Sequence, residues 1–315
     1  MELMVALVLS VLLLAGVLQV YMTSSSNYRA QEAAAVMMEN GRTAIELLSR
    51  DLRLASYWRC VGLDPANLSN HLPSDQRGLF ATNGANNAPD TIRTLYALDE
   101  TQVTLQADVE LTGLDTVAIP PTVTPNDITV SDGSNFVGNE VIVVGDCAKG
   151  DIFPITGVNG NTLSHNCLTC VESYGAGAAL LVVEDTQFFI ADNDRGQPAL
   201  FRSINGGAAE ELIEGVEDMQ LFFGEDTDSD GFANRYVTAE VIDAPCVDNT
   251  NPGCWLRVTS VRISLLLRTT LDADDDNITL GPQTFNYNGA TVTAADDGRL
   301  RRVFTTVIAL RNHRV

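Results

Sequence analysis

Hydrophobic positions follow two regimes along the chain. Leu3 to Met22, LMVALVLSVLLLAGVLQVYM, carries no charge, and about 20 apolar residues in a row suffice to cross a bilayer core as a helix. A secretory signal peptide has a basic head, a shorter apolar stretch and a small-residue cleavage site. Here the apolar run follows a lone carboxylate, Glu2, and no cleavage site comes after it. Beyond Met22 the spacing changes: Ala34, Met37, Met38, Gly41, Ala44, Ile45, Leu48 and Leu52 recur at three- and four-residue steps, the period of one helical face. The two segments predict one continuous helix over Glu2 to Ala55, on the order of 80 Å long.

The helical period fades at Tyr57-Trp58-Arg59-Cys60, where Gly62, Pro65 and Asn67 follow. Residues 61–90, rich in Asn, Gly, Pro, Ser and Asp, read as a long surface loop with one short helical turn. From Thr91 the chain shows short β-branched and apolar runs separated by turn residues, among them AALLVVEDTQFFIAD, VEDMQLFFGED, NRYVTAEVID and WLRVTSVRISLLLRTT. Alternation of Val258, Ser260, Arg262 and Ser264 with Thr259, Val261, Ile263 and Leu265 indicates antiparallel sheet. A second short helix is expected near Ala208–Ile213. The fold class is α+β: a helical unit over 1–57, with 3–22 as the membrane span and 23–57 amphipathic, then a mostly antiparallel β head over 58–315.

Charge narrows the functions. The 19 basic and 41 acidic residues give a formal charge of -22, a surface that repels phosphate backbones, so no nucleic-acid partner is expected. Lys149 is the only lysine. His71, His165 and His313 sit in no metal or base–nucleophile motif, and no nucleophile elbow, phosphate loop or dinucleotide fingerprint occurs. Each histidine reads as ordinary surface or core, and the chain as a non-enzyme.

Asp226-Thr-Asp-Ser-Asp-Gly-Phe-Ala-Asn234 places three carboxylates on alternate positions before a glycine. Asp226, Asp228, Asp230, the carbonyl of Phe232 and Asn234 could together meet one hard cation, with Gly231 making the turn. The closing bidentate Glu of an EF-hand is replaced by Val237, so an open, weak calcium site is one reading and an acidic hairpin turn the other. Glu225 is a further candidate ligand. Apart from calcium no cofactor is expected. Asp192-Asn-Asp-Arg-Gly196 and Asp272–Asp276 lack the full pattern and read as turns.

Six cysteines, all beyond the apolar helix, fit an oxidising compartment. Cys246 and Cys254 bracket a turn-forming insert and are expected to bridge. Cys60, Cys147, Cys167 and Cys170 allow three pairings that sequence does not decide; Cys60–Cys147 and Cys167–Cys170 are preferred. Cys167-Leu-Thr-Cys170 has the spacing of a redox or zinc pair, but no βαβ setting and no second pair accompany it, and His165 is the only imidazole nearby in sequence. Structural bridges are therefore favoured over zinc.

Four places resemble the PilW family of type IV pilus minor pilins, relatives of the J-type minor pseudopilins of type II secretion. They are the start Glu2-Leu-Met-Val-Ala6, the helix segment ENGRTAIELLSRDLR over 39–53, GVEDMQLFFG over 215–224 and RVFTTVIALRN over 302–312. The start is common to all pilins; the other three make the resemblance specific. In that family the carboxylate matching Glu2 is the fifth residue of the mature chain, behind a basic leader ending in Gly and a methylated N-terminal residue. The resemblance therefore implies residues upstream of Met1. It also implies a role for Glu2 in assembly: a carboxylate in an apolar setting is costly unless paired or neutral, and a neighbouring subunit's terminal amine can supply the partner.

The resemblance implies an inner-membrane protein with a periplasmic head that passes into an extracellular pilus. Its partners would be major and minor pilins and a tip adhesin, and its role the priming of assembly. Two alternatives stay open: a membrane-anchored periplasmic module that binds calcium or another ligand, and a pseudopilin of a type II secretion system.

Overall fold

The computed structural model describes residues 2–61, 67–72, 78–85, 88–115, 122–170, 172–244, 255–270, 283–294 and 297–312. Helix α1 runs unbroken from Glu2 to Leu54. Asn312 Nδ2 donates to the carbonyl of Arg53, and Ser56 enters the left-handed region at φ 64°, which turns the chain out of the helix. Ser56 N–H then bonds Leu95 and Ala97 N–H bonds Tyr57, so the helix leaves directly onto a strand.

Among the described residues two main sheets, with three two-stranded ribbons beside them, form the head. The larger is organised by the 14-residue strand Ala179–Asp192. Its first half pairs with Val141–Gly145 and its second half with Thr91–Ala97 and Pro198–Ile204. The smaller has the order Arg235–Val237, Val216–Glu225, Val258–Arg268, Arg301–Ala309, antiparallel throughout. The alternation read in 258–265 is realised in part: Val261, Ile263 and Leu265 are fully buried and Arg262 lies on the other face over the rings of Phe222 and Tyr236, but Val258, Ser260 and Ser264 are buried as well.

The main core lies where α1 meets both sheets. Met37, Ala44, Leu48 and Leu52 pack with Leu79, Ile92, Phe188 and Leu200 of the larger sheet and with Met219, Leu221, Val261, Ile263 and Leu265 of the smaller. The steps between the four helix residues follow the helical repeat, so they form one stripe. Gly41 lies on that stripe because Phe304 fills its place: a Cβ there would meet the Phe304 ring at 2.4 Å. A second core, around Phe153, Leu163, Tyr174 and Leu180, occupies the other end of the larger sheet.

Three local readings are corrected. Residues 61–90 contain two strands: Leu68–Asn70, paired in parallel with Gly150–Ile152, and Leu79–Thr82, paired with Thr91–Thr94. The first pairing joins segments far apart in sequence, and the second joins neighbouring strands. The expected helix near 208–213 is the edge strand Glu210–Glu214, paired with Pro198–Ile204 and tied by Arg202 to Glu210. Cross-strand pairing overrides helix propensity there. Only Arg235–Val237 of NRYVTAEVID is strand; Ala239–Asp243 forms a short helix burying Ala239 and Ile242, the spacing of a helical face.

Candidate assembly surface, cation loop and cysteine corners

The N-terminal half of α1 has no partner among the described residues. Leu13 is 71% exposed, Val20 70% and Tyr28 68%, whereas Met37 is 3% and Leu48 0%. Apolar surface of this extent is stable only in lipid or against other apolar helices. Glu2 opens the helix and is exposed, at the end where the backbone dipole favours an acidic side chain.

In the 226–234 loop, one oxygen from each of Asp226, Asp228 and Asp230 lies within 4.8 Å of the others. The loop is pre-shaped by its own polar groups. Asp226 accepts the N–H of Asp228, Ser229 and Gly231 at 3.2, 2.7 and 2.7 Å, with Gly231 at φ 86°. Burial acts to raise the Asp226 pKa, but those N–H donors outweigh it and hold the carboxyl below its ordinary value. Asn234 Oδ1 accepts the N–H of Thr227 at 2.6 Å, closing the loop base. Phe232, 72% exposed, stands at its tip, and Glu225, weighed as an extra ligand, is engaged by Arg235 at 2.7 Å. These oxygens suit a hard cation.

Cys60 bonds Cys147, and Cys167 bonds Cys170. The first pair links the segment after α1 to the turn beyond Val141–Gly145; the second closes a turn whose sulfur-bearing residues are buried. Cys246 and Cys254 lie outside the described residues, as do Asp272–Asp276 and His313. The stretch 192–196 is a turn, in which Asn193 Oδ1 accepts the N–H of Arg195 and Gln197.

Sequence proximity misled on the imidazole. His165 is structural: its Nδ1 accepts the Cys167 N–H at 3.2 Å, its ring packs on Phe153, and burial lowers its pKa. The ring beside the cysteine pair is His71, brought there because Leu68–Asn70 pairs with Gly150–Ile152. Nothing local to His71 signals this.

Residues 187–312 match the model of a family described as type IV pilus-assembly protein W. No curated protein matches the chain. Among solved structures, a type IV-like pilin from Thermus thermophilus aligns at 12% identity with a TM-score of 0.34, covering 88% of this chain and 97% of its own. The family match takes in the whole smaller sheet, including GVEDMQLFFG and RVFTTVIALRN, which is one of the two sheets that pack on α1. It points to a structural subunit rather than an enzyme. Residues 187–312 are thus similar to the type IV pilus-assembly protein W family, and they follow a long helix whose N-terminal half is apolar.

Proposed function

We propose that the chain is a minor pilin that helps prime pilus assembly within a tip complex, its helix packing with the helices of other pilins and its head contacting their heads or a tip adhesin. The observation that carries this reading is the division of α1. A single unbroken helix packs one face into its own head from Met37 onward and leaves its apolar N-terminal half bare. A plain anchor needs only the bare half. A rigid continuation locked into the head fixes the head's position relative to whatever the bare half packs against. Before assembly lipid covers that half, and the head lies on the periplasmic side.

Glu2 is assigned the register contact with a neighbour's terminal amine. Glu2→Ala is expected to leave the membrane-bound level of the protein unchanged while surface piliation falls severalfold, measured by shear preparation and immunoblotting. Wild-type piliation with Glu2→Ala would favour a membrane-anchored binding module. Unaltered pili with lost protein secretion would favour the pseudopilin reading.

We also propose that Asp226, Asp228 and Asp230, with the Phe232 carbonyl and Asn234, bind calcium with a Kd on the order of 10⁻⁴–10⁻³ M, the range of open extracellular sites. Titration calorimetry of the full chain in detergent is expected to show binding, with a rise in Tm at millimolar calcium. Asp226→Ala/Asp228→Ala should abolish both. No heat and no Tm change in the unaltered protein would remove the site.

A further inference from the structure

The corner around the Cys167–Cys170 bond holds groups that pilus assembly does not call on. Cys167 is 7% exposed and Cys170 fully buried. Both sulfurs and one ring nitrogen of His71 lie within 4.8 Å of one another. The ring is held on both sides. Nε2 sits 2.5 Å from Oδ1 of Asp151, a residue 1% exposed whose other oxygen accepts the Tyr174 hydroxyl at 2.6 Å. Nδ1 lies 2.8 Å from Thr169 Oγ1, and that hydroxyl is 3.7 Å from Cys167 Sγ. Nδ1 is therefore the nitrogen on the sulfur side.

A disulfide is uncharged and needs no imidazole aimed at it. Two cysteines separated by two residues, with a histidine whose far nitrogen is fixed by a buried carboxylate, are the parts of a thiolate–imidazole metal site and its outer support. Charge argues the same way. Opening the bond and ionising both thiols would set two more negative charges beside the buried Asp151, a costly arrangement in a partly buried corner, and a divalent cation would offset it.

We propose that, when the Cys167–Cys170 bond is open, Cys167, Cys170 and the Nδ1 of His71 bind one divalent ion of the zinc class. The disulfide and the metal are then mutually exclusive closures of the same corner, the metal serving the thiol form of the chain before oxidation. The steps balance with a phosphine as reductant. The phosphine takes oxygen from water and becomes its oxide, the S–S bond breaks, and the two hydrogens of the water end on the two thiols. Metal binding then releases both thiol protons. The Thr169 hydroxyl, next to both Nδ1 and Cys167 Sγ, lies within reach of a fourth position.

The full chain in detergent, reduced anaerobically with a phosphine, is titrated with Co2+. The expected result is one equivalent bound, with thiolate-to-cobalt charge-transfer absorption and the strong visible bands of four-coordinate cobalt, all removed by one equivalent of Zn2+. Cys167→Ser/Cys170→Ser should abolish the absorption. Cys60→Ser/Cys147→Ser should keep it, and His71→Gln, which removes a ligand, should weaken binding at least as much as the loss of an outer supporting residue does, about 10-fold or more. The oxidised chain should show none, and oxygen ligands of the 226–234 loop give no thiolate absorption. The proposal is overturned if the reduced wild type shows no charge-transfer band, if the band survives Cys167→Ser/Cys170→Ser, or if His71→Gln binds as tightly as wild type. It is equally overturned if the head unfolds on reduction, by circular dichroism, and does not recover with Co2+.

Discussion

Arg301 concentrates the electrostatics of the smaller sheet. Its side chain is 4% exposed and forms paired bonds to Glu217, at 2.6 and 3.0 Å, and to Asp297, at 2.8 and 2.7 Å. The Arg301 bonds draw the Asp297 pKa down to about 2 from 3.8, against an opposing push from burial. A carboxylate with a depressed folded pKa adds stability that is present above its unfolded pKa and lost as pH falls through its folded one. The Asp297 contribution is therefore complete at neutral pH and disappears between about pH 4 and pH 2. Arg301→Gln is expected to destabilise the head by about 1–3 kcal/mol at pH 7, below the loss for a fully buried pair because both carboxylates remain partly exposed. It should also flatten the acid limb in that pH window, both measured by denaturant titration as a function of pH. Of these groups the sequence displays only the charges. Asp297 stands four residues before Arg301 in the chain, whereas Glu217 reaches the same guanidinium through strand register, Val216–Glu225 pairing with Val258–Arg268 and that strand with Arg301–Ala309.

At the scale of elements, the joint between α1 and the head decides how rigidly one moves with the other. Gly41 and Phe304 form one close contact of that joint. In an exposed helix Gly→Ala is worth about 1 kcal/mol in favour of Ala, but overpacking a filled position costs about 1–3 kcal/mol. Gly41→Ala is therefore expected to destabilise the wild-type protein and to stabilise a Phe304→Ala background, a change of sign read from a double-mutant cycle of unfolding free energies. The same sign in both backgrounds would show that the ring does not lock the helix. The helix was legible because its signal is local: an uncharged run, then a repeat at three- and four-residue steps. The strand Val258–Arg268 was legible for a matching reason, since its run of β-branched and apolar residues is a local pattern, although residues on both of its faces are buried. Glu210–Glu214 was not, because five residues with three glutamates carry no stronger strand signal than helix signal, and the neighbouring strand decided between them.

For the whole molecule, the sequence by itself determined the two-part plan. An apolar helix that must be covered, its amphipathic continuation, an acidic β head and the 226–234 loop with its carboxylates on alternate positions all follow from short-range patterns. The tertiary structure decided where the cover changes hands. Burial on α1 sets in around Met37 because the two sheets close over the helix only from there, leaving the described side chains between Glu2 and Tyr28 largely exposed. It also decided which cysteines meet and which histidine stands beside Cys167 and Cys170. His71 reaches that corner through a three-residue parallel pairing, a contact between segments distant in the chain. Periodicity reports on neighbours within a few residues. It carries no information about sheet order or register, and those bring distant polar groups to one place.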